Sequence, residues 1–170
     1  DKFPKPTIAL VKGAAFGGAL GLVACCDIAI AEENASFCLS EVRIGLIPAV
    51  ISPYVMRAIG ERESRRYFLT AERFMAPKAK KLGLLHEVVS EGEMSDVAES
   101  LINTMLQNSP AAMTAAKSLI HNIYNRKISN NVIAHTEQAI AEIRVSPEGQ
   151  EGLTAFLEKR KPTWRGKEDA

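Results

Sequence analysis

The segment "GAAFGGALGLVACCDIAIA", from Gly13 to Ala31, sets four glycines (Gly13, Gly17, Gly18 and Gly21) ahead of an apolar run that stops at Asp27. Each glycine weakens a helix or strand interior by about 0.5–1 kcal/mol. A chain that carries four of them in front of a buried element needs unusual backbone freedom there, or close approach to it. Neither GxGxxG nor GxxxxGK[ST] occurs, which argues against reading the glycines as a nucleotide phosphate loop. Gly13, Gly17 and Gly21 form a GxxxG series, but the uncharged run between Lys12 and Asp27 is well short of the ~20 residues of a membrane span. Two readings stay open. In the first, the glycines let a buried helix pack closely on a sheet. In the second, a strand ends, the chain turns on Gly17–Gly18, and a helix begins. The first N–H groups of that helix have no internal partner and lie at the positive end of its dipole. With no Cβ in the way, an oxygen that gains negative charge during a reaction can approach them. A donor of this kind is worth roughly 3–4 kcal/mol of barrier. The second reading requires an acid/base side chain nearby.

The rest of the chain divides by pattern. Thr7–Val11 is short, apolar and β-rich, and reads as a buried strand. Ile28–Ala31 and Ala35–Cys38 read as strands around the turn-prone "EENA". Leu39–Pro53, with Gly45, Pro48 and Pro53, reads as an irregular loop. Tyr54–Ile59 and Ser64–Thr70 read as two short helices, Pro77–Lys81 starts another, and His86–Val89 reads as a strand. Beyond that the chain is helical. Apolar faces run through Val97, Leu101, Met105 and Leu106; through Met113, Ala116, Ile120, Ile123 and Tyr124; through Ile133, Ile140 and Ile143; and through Leu153, Phe156 and Leu157. Ser109–Pro110 and Ser146–Pro147 are helix starts, each a capping hydroxyl followed by proline at the first helical position. Strands and glycines thus occupy residues 1–92, and amphipathic helices occupy residues 93–170. The fold class is α/β.

The 170 residues suffice for a sizeable core, and the net charge of +1 gives no global attraction to nucleic acid or to a membrane surface. Cys25, Cys26 and Cys38 are odd in number and form no CxxC, which argues against a disulfide framework and against a zinc site. They are expected to be buried, inert thiols in a reducing, cytoplasmic compartment. His86, His121 and His135 are scattered, so structural roles are expected for them and no metal site. The opening "DKFPKPTIALV" reads as the interior of a longer protein.

At "KPTIALVKGAAFGGALGLVACCDIAIAEENASFCLSEVRIGLIP" the sequence resembles the crotonase superfamily, the enoyl-CoA hydratases and isomerases. Gly13, Ala15, Gly17, Gly18, Leu22, Cys26, Asp27, Ala31, Phe37, Glu41, Gly45 and Pro48 fall in register with the family pattern. "TAERFMAPKAKKLGLLHEVV" and "AFLEKRKPTW" match as well. The likeness covers nearly all of this chain but about the last two-thirds of a family chain. The preceding third normally supplies a first oxyanion N–H and much of the coenzyme A pocket. "SEVRIGLIPAVISPYVMRAIGER" further resembles the bacterial methylglutaconyl-CoA-type hydratases of leucine and acyclic-terpene breakdown.

The resemblance implies a ββα spiral over residues 1–92, helices over residues 93–170 that build a homotrimer or a dimer of trimers, and an acyl-CoA thioester as substrate. It implies no cofactor, since coenzyme A is part of the substrate. The Gly18 N–H would be an oxyanion donor and Glu41 the acid/base carboxylate, with Gly17 and Gly21 lining the substrate. Phe156 and Lys159 would meet the adenine end of a coenzyme A bound mainly to a neighbouring subunit. One departure stands out. Typical hydratases carry a second glutamate where this chain has Gly21, and two carboxylates are the usual way to hold and activate a water molecule. Hydration of a 2,3-enoyl-CoA, with Glu41 acting alone or with a group from the preceding segment, is the first expectation. Double-bond isomerisation or decarboxylation through the single Glu41 is the second. A non-catalytic assembly or RNA-binding member is the third, and the lack of a basic face weighs against its RNA-binding form.

Overall fold

The computed structural model describes residues 1–165. Its strands form two three-stranded sheets. The chain feeds them alternately. β1 (Ile8–Val11) enters the first sheet and β2 (Ala14–Phe16) the second, before helix α1 (Gly18–Cys25). The next turn repeats this with β3 (Ile28–Glu32), β4 (Ser36–Cys38) and helix α2 (Ser52–Thr70). β5 (Phe74–Met75), α3 (Ala76–Leu82) and β6 (Glu87–Val89) complete the sheets, and α4 (Met94–Leu106) comes next.

β3 lies at the centre of its sheet, parallel to both neighbours. A parallel strand covered on both faces reads as a continuous apolar run, which is what "IAIA" supplies. His86 extends this sheet with its side chain: its backbone N–H donates to the Ala29 carbonyl, and its Nδ1 accepts the Ala29 N–H at 3.1 Å. The core between the layers holds Leu20, Ile30, Phe37, Leu39 and Val55, all fully buried. The Phe74 ring stacks on Phe37 and packs against Tyr67, with centroids 5.7 and 4.4 Å away.

Three local expectations are corrected. β2 was not expected: three residues, two of them alanine, carry no periodic signal, and the strand forms because β4 offers a ladder. The loop expected over Leu39–Pro53 holds a 3-10 turn at Glu41–Ile44, and α2 already begins at Ser52. Pro53 fits that first helical turn, where no amide hydrogen is needed. The two short helices are borne out as the two halves of α2, which meet at Gly60, whose φ of 77° and ψ of 163° interrupt the helical path; the thiols are the third correction. Of the three thiols, Cys38 is buried, whereas Cys25 and Cys26, which close α1, are only half-buried.

The chain divides into two contact units, one of Asp1 with Thr7–Glu99, the other of Lys2–Pro6 with the residues from Ser100 onward. The second unit is helical, with α5 (Pro110–Ile123), α6 (Asn130–Val145) and α7 (Pro147–Leu157). Ser109 and Ser146 cap α5 and α7 as expected, accepting the N–H groups of Ala112 and Gly149. Glu148 reaches from α7 to the start of α5, where it accepts from Ser109 Oγ and from the Ala111 N–H.

Glu151 anchors the end of this unit. Hydrogen bonds from Arg160, then from the Thr163 N–H, hold its carboxyl down to about 2 from an ordinary 4.5. A carboxyl lowered by folding contributes stability above its unfolded value and loses it as pH falls through the folded one. The stability difference between wild type and Glu151→Gln should therefore shrink steadily from pH 4.5 toward pH 2. Urea unfolding across that range is the measurement, and a difference that does not change with pH would contradict it.

Candidate active site

β2 and β4 run parallel, with Phe16 opposite Cys38. Both therefore leave the sheet at the same edge, and the segments they lead into are brought together. One residue past Phe16 comes Gly17, whose N–H donates to the Cys38 carbonyl at 2.9 Å and carries the ladder one step beyond the strand. Three residues past Cys38 comes Glu41, at the head of the 3-10 turn.

Gly17 has φ 51° and ψ −121°, a conformation that side chains disfavour, and it caps α1. A Cβ at Gly17 would lie 3.2 Å from Glu41 Oε1, so the carboxylate sits directly over this glycine. Gly18 opens the helix, so no preceding turn offers its N–H an acceptor. Apart from its chain neighbours and its own helix, no atom of the described residues comes within 4 Å of where a Gly18 Cβ would be, which leaves the approach to the helix start open among them.

Glu41 itself is half-buried, yet its Oε2 is shielded from solvent with no hydrogen-bond partner among the described residues. Leaving such an acceptor unpaired costs on the order of 1–3 kcal/mol, and more for a charged group. Glu63 Oε2 shares this state, but Glu63 lies on α2 beyond the Gly60 break. The Glu41 carboxylate is the one that lies over Gly17, at the start of α1. The turn that carries it is fixed from both sides. Cys38 Sγ and Arg43 Nη2 both donate to the carbonyl of Ala71, the left-handed residue that ends α2.

One turn along α1 from Gly17 the arrangement changes. Gly21 is buried, and a Cβ there would fall 2.1 Å from Ile51 Cγ2 and 2.6 Å from Ile51 Cβ. The volume of a residue-21 side chain is thus already filled by Ile51. No local pattern marks Ile51, Arg43 or the Cys38–Ala71 contact, because each depends on residues about thirty positions away. Of the residues expected in the site, Gly17, Gly18, Gly21 and Glu41 come together along α1. Phe156 and Lys159 belong to the other contact unit; Phe156 is 81% exposed, and Lys159 takes a left-handed φ of 55° just after α7. Among the described residues, no group of three or more His, Cys, Asp or Glu is arranged to hold a metal ion, and no helix is long and apolar enough to cross a membrane.

The glycine turn, the helix start and the carboxylate over it can be compared with known proteins. The sequence matches the enoyl-CoA hydratase/isomerase family over residues 1–167. The chain belongs to that family. A crystal structure of an enoyl-CoA hydratase from Shewanella pealeana superposes with a TM-score of 0.92 at 58% identity, covering 96% of this chain and 61% of that one. An enoyl-CoA hydratase of Alternaria alternata is 36% identical over 95% of this chain and 54% of its own length. The 2,3-dehydroadipyl-CoA hydratase of Escherichia coli is 31% identical over 97% of this chain and 65% of its own. The α/β crotonase-type fold implied by the resemblance is therefore the fold of this chain. In each of these three cases the chain spans less than two-thirds of its relative's length.

The geometry at Gly17 generates a stability prediction. Gly17→Ala adds a methyl that meets Glu41 Oε1 and forces a residue with a Cβ into a strained conformation. It should lower unfolding free energy by about 1–3 kcal/mol. Denaturant unfolding of the two proteins checks this, and equal midpoints would refute it.

Proposed function

We propose that this chain is the part of an enoyl-CoA hydratase that adds water across the 2,3-double bond of an acyl-CoA thioester. The observation that carries the reading is the shielded, unpartnered Glu41 Oε2 beside the open N-terminus of α1. In the proposed reaction the thioester oxygen accepts the Gly18 N–H. Glu41 takes a proton from water as the hydroxyl adds to C3, and charge moves through C2 onto the thioester oxygen. The fixed N–H and the dipole of α1 stabilise that enolate, and such donors count most where water is sparse. The proton held by Glu41 then goes to C2, so the carboxylate ends as it began. One carboxylate balances the proton count, and no metal or cofactor enters.

The Gly21–Ile51 contact favours a second reading. With no carboxylate at residue 21 to orient water, Glu41 suits equally a proton shuttle between two carbons, as in double-bond isomerisation, or the protonation that comes after loss of carbon dioxide. Branched, methylglutaconyl-like acyl groups, as in leucine breakdown, are the substrates the subgroup resemblance favours. The free thiols suit a cytoplasmic setting.

Glu41→Gln in the full-length protein should keep the fold and lose about 10²–10⁴-fold in kcat, the usual worth of a positioned acid/base group. Turnover of methylglutaconyl-CoA and crotonyl-CoA in labelled water gives the measurement. Label at C3 that disappears with Glu41→Gln supports hydration. Isomerisation or decarboxylation without label would move the assignment to the second reading, and full activity in Glu41→Gln would remove both.

We also read the helical unit as an assembly surface that forms a trimer or a dimer of trimers. Ile120, Ile140, Leu153 and Phe156 are exposed, at 62%, 65%, 42% and 81%, while Ile123 and Ile143 are half-buried. Exposed apolar faces of this kind mark contacts between chains. In such an assembly Phe156 and Lys159 would be offered to coenzyme A on a neighbouring subunit. Light scattering at micromolar concentration should give a trimer or hexamer mass, and a monomer would count against both the assembly and the shared site.

A further inference from the structure

We propose that Ile51 is a positioning residue for Glu41, acting through its fit into the notch that Gly21 leaves in α1. The inference rests on Glu41 being the acid/base group, and it goes beyond that assignment. Gly17 and Gly21 are four residues apart and lie on one face of α1, one helical turn from each other. Glu41 Oε1 lies over the first and Ile51 over the second. These two residues bracket the whole segment that runs from the 3-10 turn to the start of α2. The segment is thus docked on α1 at both ends. Its first end carries the carboxylate, and its second end is a side chain fitted where no other atom can go.

Between those ends Arg43 ties the turn to the Ala71 carbonyl and Pro48 is buried, but the other apolar side chains make no anchor. Ile44, Leu46, Ile47 and Val50 all project into solvent, with exposures from 58% to 86%. Ile51 is the residue of the segment's second end that packs against the buried core. Its β-branched carbon is the part that matters, because Cβ and Cγ2 make the close approach and Cδ1 stays at 3.6 Å. β-branched side chains have few rotamers, so this contact fixes the backbone that bears it. The same contact keeps residue 21 from presenting any side chain, a second carboxylate included, while Ile51 is in place.

The test uses the full-length protein and four variants: Gly21→Ala, Ile51→Gly, the two combined, and Ile51→Val. A reacting group displaced by about 1 Å costs on the order of 100-fold. Gly21→Ala and Ile51→Gly should each lower kcat by about 10-fold or more while KM changes by less than about threefold. Ile51→Val keeps Cβ and both γ-carbons and should hold kcat within about threefold of wild type. In the combined variant the two losses should not multiply, as expected for residues in contact, and kcat should fall no further than in Ile51→Gly alone. A residue that only packs would lower Tm and leave kcat alone. Wild-type kcat in Ile51→Gly overturns the proposal, and this arm stands even where Gly21→Ala fails to fold. So does a combined variant whose loss equals the product of the two single losses. Glu41→Gln separates the two layers. If it keeps full turnover, the acid/base assignment falls and this proposal with it. If it loses turnover while the Ile51 variants do not, the positioning proposal alone falls.

Discussion

The parallel pairing of β2 with β4 is the constraint on which the site depends. Strands that run the same way end on the same edge, so the segments after them must start side by side. Here one segment is a glycine turn into a helix and the other is a carboxylate-bearing turn. The Gly17 N–H bond to the Cys38 carbonyl fixes their offset to a single ladder step. A one-residue slip of β2 would turn Ala15, now buried, to the opposite face and carry Gly17 away from Glu41. The buried stack of Phe37, Phe74 and Tyr67 holds β4 to β5 and to α2, and so protects that register from the far side.

Much of this could be read from the chain itself, and the reasons differ by element. The serine–proline starts of α5 and α7 are local signals, and they hold because a capping hydroxyl needs only the next three residues. The turn at Gly17–Gly18 was legible for the same kind of reason: few residues other than glycine take that backbone conformation. Glu41 was legible only through the family pattern, since a lone glutamate in a loop carries no spacing signal. β2 was illegible, being three residues whose strand character comes from a partner more than twenty positions on. Ile51 was illegible in a stronger sense. Its identity matters through the absence of a side chain at Gly21, and an absence leaves no periodicity to detect.

α2 is divided at Gly60, whose positive φ interrupts the helical path between the stretches read as two helices. Ser64 Oγ donates to the Gly60 carbonyl at 2.7 Å beside the break. The far end of α2 then closes on Ala71, whose carbonyl accepts from both Cys38 and Arg43. The end of α2 thereby steadies the turn that carries Glu41, through a single backbone oxygen.

The orphaned oxygen of Glu41 has a consequence for how this protein is built. A carboxylate oxygen shielded from solvent with no partner among the described residues weakens the fold by on the order of 1–3 kcal/mol. Sequence change that drifts toward greater stability would favour a residue at position 41 with no such unmet demand. Residues that deepen the core elsewhere, such as Leu20 and Phe37, offset that cost. In the role proposed for Glu41, function and robustness are opposed at one atom, and the remainder of the fold supplies the margin between them.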